Sequence, residues 1–564
     1  MNSSKDIYAI KAISQIPRLL GNLDRNPYSP TYGCFHRDYW LDKTSDFPDA
    51  VRQFGVHALA LVYTYDFPNN IYKNQTKIRD WSIAALLFWA KIQHKDGSFD
   101  EFYPYERGWV GPTAFTTYTS IEAFRLLEKE MQEDNRKLIL NAIQKAAYFI
   151  GKGEAEEDHL ANHHAMACLA LRKAYELLDD TTLEKQYQKA FKTFKSYHNY
   201  EEGWSREYDG TDPGYLSATI SFFGKVYQNH RDPEILEIVK HSIEFSSYFA
   251  YPNGFYAGSM GSRNTLHFYP HGYEILANEI PLARSVADKM LEGLRENKLV
   301  PPEIISDRYV FYRVPEFLLA YLDHQENTTE PSPLPYIQNN LNTYFRHAGI
   351  YVGNIGKYYS LVNLSKGGVI KVFNTETNKL LLNDCGVLGK LTNGDVVTSQ
   401  WIDPEYIRNF DNNTCEISGN INLVPSNKLF TPFKNIVFRA TLLALGWIPS
   451  FAHFLKGQIR KALILGHRKI PCKFYRSIEF QQDKILLTTE INLQNKKIQF
   501  NSLIIGDEFF VRYVPQSRYF QSQELDIKGL TLNNEQINKL NKNKKIVITT
   551  SLHLKSEESE TTVE

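Results

Sequence analysis

Apolar residues recur at spacings of three and four through the first 325 residues, as in Ile83-Leu86-Leu87-Ala90, the period of a helix that buries one face. The pattern predicts helices over residues 10–20, 51–65, 77–94, 114–130, 137–150, 161–178, 182–197, 216–229, 233–249, 272–294 and 309–323. Gly- and Pro-containing loops separate them, among them Lys95-Asp96-Gly97-Ser98-Phe99 and the stretches 108–112, 209–214 and 252–254. A run of such helices with no strand pattern between them predicts repeated helical hairpins, stacked as a solenoid or closed into a toroid.

The period changes after the polar, Pro-rich segment 326–335 (ENTTEPSPLP), the clearest linker in the chain. Short strands are predicted over 350–354, 358–362, 369–373, 415–421, 485–491 and 545–550, and they read as an antiparallel sandwich or a stack of sheets. The expected division is a helical domain over 1–325, a linker over 326–340 and a β domain over 341–564, with a charged, frayed tail over 555–564. An apolar helical insertion near 432–470 interrupts the β half: residues 440–455 (ATLLALGWIPSFAHFL) are followed by Lys456, Arg460, Lys461, Arg468 and Lys469. The run is too short to span a bilayer and Pro449 breaks it. It packs at the domain interface, or it makes a peripheral membrane contact through 440–470.

Length and composition agree with this division. A chain of 564 residues exceeds one ordinary core, so two domains are the first expectation, with three as the alternative. Hydrophobic residues at 43% and charged residues at 23% are ordinary for a globular protein. The 64 basic and 64 acidic residues cancel, which argues against a polyanion-coating protein while leaving room for a local basic patch. Walker A and GxGxxG runs and a basic-aromatic stripe are missing, so no nucleic acid partner is expected. The 13% of aromatic residues suits a sugar-binding cleft, and a Lys- and Asn-rich bias would raise Tyr and Phe equally. Five scattered cysteines, never spaced as CxxC, suggest neither a disulfide framework nor a zinc site. The N-terminus leads to no signal-like apolar region, so a cytoplasmic protein is expected, with membrane association as the alternative.

Three polar clusters stand out, and loops held by rigid helices are where catalytic groups usually sit. One is Asn162-His163-His164, opening a helical run. The second runs from Trp204 through Glu207, Asp209 and Asp212 to Tyr215, and the third from Gly258 through Arg263, Asn264 and His267 to His271. They are expected to wall one carbohydrate site. Each also has a plainer reading: Asn162 as a helix cap, Tyr215 as the first core residue of its helix, Arg263 as an ion-paired loop residue. His159 and His163 share a helix face without an HExxH arrangement, so no metal is assigned.

The helical half, the linker and the β half together resemble the heparinase II/III-like polysaccharide lyases of the alginate lyase/heparinase toroid superfamily, which pair an incomplete (α/α) toroid with an antiparallel β-sheet domain. Asn162-His163-His164 is similar to that family's Asn/His segment, and Gly210-Thr211-Asp212-Pro213-Gly214-Tyr215 to its Asp-Gly…Tyr loop. Residues 263–271 match more loosely. The implied fold class is α+β and multidomain, an N-terminal (α/α) toroid followed by a C-terminal antiparallel β-sandwich.

The implied chemistry is β-elimination beside a uronic acid carboxylate, without a cofactor, on an acidic oligosaccharide or polysaccharide. Asn162 with His163 or His164 would neutralise the carboxylate, Tyr215 would move a proton, and His267 would be the second proton-transfer group. Arg263, Asn264, His271, Glu207, Asp209 and Trp204 would bind substrate. The family's further β-domain histidine has only a positional candidate in His347, with His453 and His467 in the insertion region. Two other functions remain: a toroid glycoside hydrolase using Glu207, Asp209 and Asp212, and a carbohydrate-binding or assembly protein of a surface-polysaccharide pathway.

Overall fold

The computed structural model describes residues 4–106, 110–153, 159–325, 330–411, 413–424, 431–461, 466–509, 511, 514 and 517–564. Part of the expected linker, 326–329, lies outside the described residues.

Two kinds of helix alternate in the first half. Outer helices bury a stripe: in Thr181–Lys195 only Leu183, Tyr187, Phe191 and Phe194 are buried, at helical spacing. Inner helices are buried nearly all round, as in Pro213–Asn229, where every residue from Pro213 to Tyr227 is covered. The inner helices Gly55–Thr64, Val110–Leu127, Ala161–Leu178, Pro213–Asn229, His271–Leu276 and Val310–Asp323 pack each on the next, and the last returns to the first. The ring is therefore a closed toroid. Helix starts are fixed locally: Pro213 and Pro233 occupy first turns, and the Asp212 and Asp232 side chains accept backbone N–H groups at their caps.

Three expectations for this half are corrected. The predicted helix 272–294 is two helices, because Pro281 opens Pro281–Arg295 as a separate element. The predicted helix 10–20 likewise divides into Asp6–Ile13 and Ile16–Asn22, with Pro17 in the first turn of the second. The half also contains strands: His198–Asn199, Trp204–Glu207 and Gly210–Thr211 form a small antiparallel sheet. These pieces are too short for a period-two pattern to register.

The β half holds a five-stranded antiparallel meander, from Asn342–Phe345 to Lys379–Asp384, and a ten-stranded antiparallel sheet. The meander is buried on both faces. Ile350, Val352, Tyr359, Leu361, Val369 and Phe373 join the toroid core, while the alternate residues Tyr351, Tyr358, Val362, Ile370 and Val372 face the larger sheet. The tail expected to fray is instead the strand Glu558–Val563, paired with Lys545–His553. The apolar insertion is a pair of helices, Pro432–Leu445 and Pro449–Arg460, and Pro449 starts the second.

Candidate active site

A cleft opens at one end of the ring. Gly111, Asn162, Tyr215 and Tyr312 line it, and each lies in the first turn of a different inner helix. Four helix N-termini therefore converge on one space, and their macrodipoles favour negative charge there. The remaining described lining is mostly aromatic: Phe102, Phe115, Tyr208, Phe222, Tyr269 and Tyr309, with Glu101, His163, Ala218 and, from the β half, Val514.

Asn162 is held by a carboxylate. Glu207, itself buried, accepts the Asn162 backbone N–H at 2.6 Å and its side-chain Nδ2 at 2.8 Å. Glu207 thus caps the helix Ala161–Leu178 from outside it, and Asn162 is a capped residue, not the cap. His163, the next residue, also lines the cleft, with its ring edge-on to Phe115 at 5.6 Å. His164 points elsewhere: its ring stacks on Tyr197 at 4.8 Å, because consecutive helical residues face different directions.

Tyr215 follows the Asp212 cap and enters the cleft wall beside Tyr208, ring centroids 6.5 Å apart. Tyr208 has a left-handed backbone, φ 62, an uncommon conformation for a bulky residue. The Arg263 guanidinium lies over the Tyr208 ring at 4.4 Å and pairs with Asp209 at 3.3 Å. Arg263 is fully buried and is not among the residues lining the cleft; it supports the Tyr208 ring.

Other expected site residues are engaged within the protein. Asn264 is buried, and its side-chain oxygen accepts from Lys366 Nζ at 2.8 Å. Lys366 comes from the β half and also donates to the carbonyls of Ser259 and Gly261, pinning the 258–264 loop. Burial lowers the Lys366 ammonium to about 7, while its three acceptors match the three N–H groups of the charged form. His271 pairs with Asp323 at 2.6 Å behind the cleft wall. His267 packs behind the wall between Tyr269 and Tyr519, and Trp204 donates its indole N–H to Glu202. None of the three lines the cleft.

The β-half histidines are not among its described lining residues either. His347 is exposed and bonds Glu201, and the His467 ring accepts the Trp401 indole N–H at 2.8 Å. His453, on the second insertion helix, is absent from the cleft lining. Among the described residues no group of three or more His, Cys, Asp or Glu side chains could hold a metal ion.

The sequence reading missed Tyr269, Tyr309 and Tyr312 as cleft residues. Burial pushes all three phenols up, with Arg313 opposing at Tyr269 and Arg308 at Tyr309, so they remain protonated hydrogen-bond donors at neutral pH. A usable signal was present: Tyr309 and Tyr312 are three apart at a helix start, on one side.

Residues 65–272 match the family model described as the ulvan lyase N-terminal domain. The matched stretch carries Asn162, His163, Glu207 and Tyr215. No curated protein matches the chain. Among solved structures, the chondroitin AC lyase of Streptomyces coelicolor A3, crystallised with chondroitin sulphate, is 9% identical with a TM-score of 0.53, over 88% of this chain and 68% of that one. Heparinase III is 10% identical with a TM-score of 0.50, over 100% of this chain and 91% of that one. The likeness is one of fold: a helical toroid followed by antiparallel β sheets, the architecture of these polysaccharide lyases.

Proposed function

We propose that this chain is a polysaccharide or oligosaccharide lyase that cleaves uronic-acid-containing glycans by β-elimination. The observation that carries the reading is the meeting of Asn162, His163 and Tyr215 in one aromatic-lined cleft at four inner-helix N-termini. The helix ends and the amide of Asn162, oriented by Glu207, suit a carboxylate. A carboxamide has a second N–H, which in this reading meets the substrate carboxylate together with His163.

Neutralising that carboxylate acidifies the adjacent C5 proton. A proton-transfer group removes the proton, the C4–C5 double bond forms, and the C4–O bond breaks. Tyr215 is assigned this transfer. The protonated phenols of Tyr269 and Tyr312, which line the cleft, are the proton donors this reading assigns to the departing oxygen. The fold likeness and the ulvan lyase match support the same class of reaction.

Hydrolysis is less well served. It needs two carboxyl groups across the bond, and Glu101 is the one carboxylate among the described lining residues. Glu207, Asp209 and Asp212 are committed to Asn162, Arg263 and a helix cap. A peripheral membrane contact through 440–470 is compatible with the lyase reading, because no described residue of that segment is among those lining the cleft.

The test is incubation with ulvan, chondroitin sulphate and other uronate polysaccharides, followed by ultraviolet absorbance. A new unsaturated-uronate band supports the proposal. New reducing ends without that band would replace it with hydrolysis, and binding without turnover of any of them would replace it with a carbohydrate-binding role.

A further inference from the structure

The insertion hairpin presents an apolar face to solvent. Phe433, Ile436, Val437, Ala440, Ala444 and Trp447 follow one another at spacings of three and four, so they share one side of the helix Pro432–Leu445 and the turn beyond it. Phe433 is 74% exposed, Ile436 68% and Trp447 60%, and neighbouring Leu443 is 71% exposed. A face of this kind is unusual in a soluble fold and marks an interaction surface.

The opposite side of the hairpin is already engaged. Leu442 is buried, the Phe438 ring meets Tyr103 edge-on at 5.3 Å, and Arg439 pairs with Asp46 at 3.1 Å. Lys456, on the second helix, pairs with Glu106 beside the cleft rim. The hairpin is therefore fixed to the toroid by its inner side, and the outward direction of the apolar stripe is set by the fold.

Charge says what the stripe meets. Between Glu416 and Glu479 the sequence has no acidic residue and ten lysines and arginines, in a chain whose basic and acidic residues are equal in number. Arg439, Lys456, Lys469 and Arg476 pair with carboxylates outside that stretch, and among the described residues the others are not paired that way. Lys434 and Lys461 are exposed on the hairpin itself. A second copy of this chain would bring basic surface against basic surface across a two-fold axis. An anionic bilayer complements it, with Phe and Trp seated at the acyl boundary and the ammonium groups at the headgroups.

We propose that the hairpin Pro432–Arg460 is a peripheral membrane-binding element that inserts its apolar stripe into an anionic lipid surface and holds the cleft-bearing toroid beside it. No helix among the described residues is long and apolar enough to cross a membrane, so the attachment is to one leaflet.

The full chain is sedimented with phosphatidylcholine vesicles, with and without about a third of phosphatidylglycerol. The wild type is expected to pellet with the anionic vesicles and about tenfold less with the neutral ones. The triple variant Phe433→Ser, Ile436→Ser, Trp447→Ser is expected to lose at least about tenfold in vesicle affinity. Its circular dichroism and thermal midpoint check its fold, and its turnover of soluble substrate is expected to be unchanged. The pair Lys434→Gln, Lys461→Gln is expected to weaken binding to anionic vesicles and raise its sensitivity to salt.

The proposal is overturned if the wild type stays in the supernatant with anionic vesicles, or if the triple variant pellets as well as the wild type. It is equally overturned if the wild type is a dimer, the triple variant a monomer, and neither binds vesicles. These outcomes leave the lyase reading untouched, because that reading is scored on soluble polysaccharide.

Discussion

Two side chains carry the site's chemistry in separable ways. Tyr215 contributes a hydroxyl at the cleft and a ring that packs near Tyr208, so Tyr215→Phe removes the first and keeps the second. The variant is expected to fold normally and to lose about 10²- to 10⁴-fold in elimination rate, read as the appearance of unsaturated uronate. An unchanged rate would remove Tyr215 from proton transfer. Glu207 acts through Asn162, accepting two of its N–H groups. Glu207→Gln turns an amide N–H toward those donors, with an expected stability loss of about 1–3 kcal/mol in urea melts. Its kcat is expected to fall more than its KM rises. The sequence made Asn162, His163 and Tyr215 recognisable because each opens a helix after a polar loop. It could not reveal that Arg263 and Asn264 are buried, the one against Asp209 and the other against Lys366, since burial depends on what packs behind a loop.

At the scale of elements, the inner ring depends on close approach between helices. A Cβ at Gly272 would meet Ser221 Cα at 2.5 Å and Ile220 O at 2.6 Å, on the helix that also carries Tyr215. The colliding atoms are backbone, so the two helices must separate. Gly272→Ala is expected to destabilise the fold by about 1–3 kcal/mol, seen as a lowered urea midpoint, and to reduce activity by displacing Tyr215. An unchanged midpoint would mean that the ring tolerates the shift. Helix type was legible from period alone, and the β strands 350–354 and 358–362 were found where structure places Ile350–Ile355 and Tyr358–Asn363. The break at Pro281 was overlooked because the apolar spacing continues across it, although the ring constraint on proline does not.

At the scale of the whole molecule, a buried ion pair joins two inner helices that are not neighbours in sequence, Pro213–Asn229 and Val310–Asp323. Glu316 on the last inner helix accepts from Ser221 and Lys225 at 2.6 Å, and from the His271 backbone at 3.2 Å. Burial would raise its carboxyl, but Lys225 and His271 overcome that and hold it at about 2, below the ordinary 4.5. A folded value below the unfolded one means that Glu316 stabilises the protein above about pH 4.5 and loses this contribution as pH falls toward 2. Urea midpoints are expected to decline through that window. Glu316→Gln should flatten its share of the decline and cost about 3–5 kcal/mol at neutral pH by leaving Lys225 buried and unpaired. A full acid limb in the variant would assign the loss to other carboxylates. The sequence by itself determined the helical and β halves, the apolar insertion and the polar loops, because periodicity, turn residues and caps act between near neighbours. Only the tertiary structure decided that four helix N-termini share one cleft, that Tyr269, Tyr309 and Tyr312 complete it, and that the apolar stripe at Phe433 faces outward. Those facts join residues hundreds of positions apart, and ring closure and packing, not local spacing, bring them together.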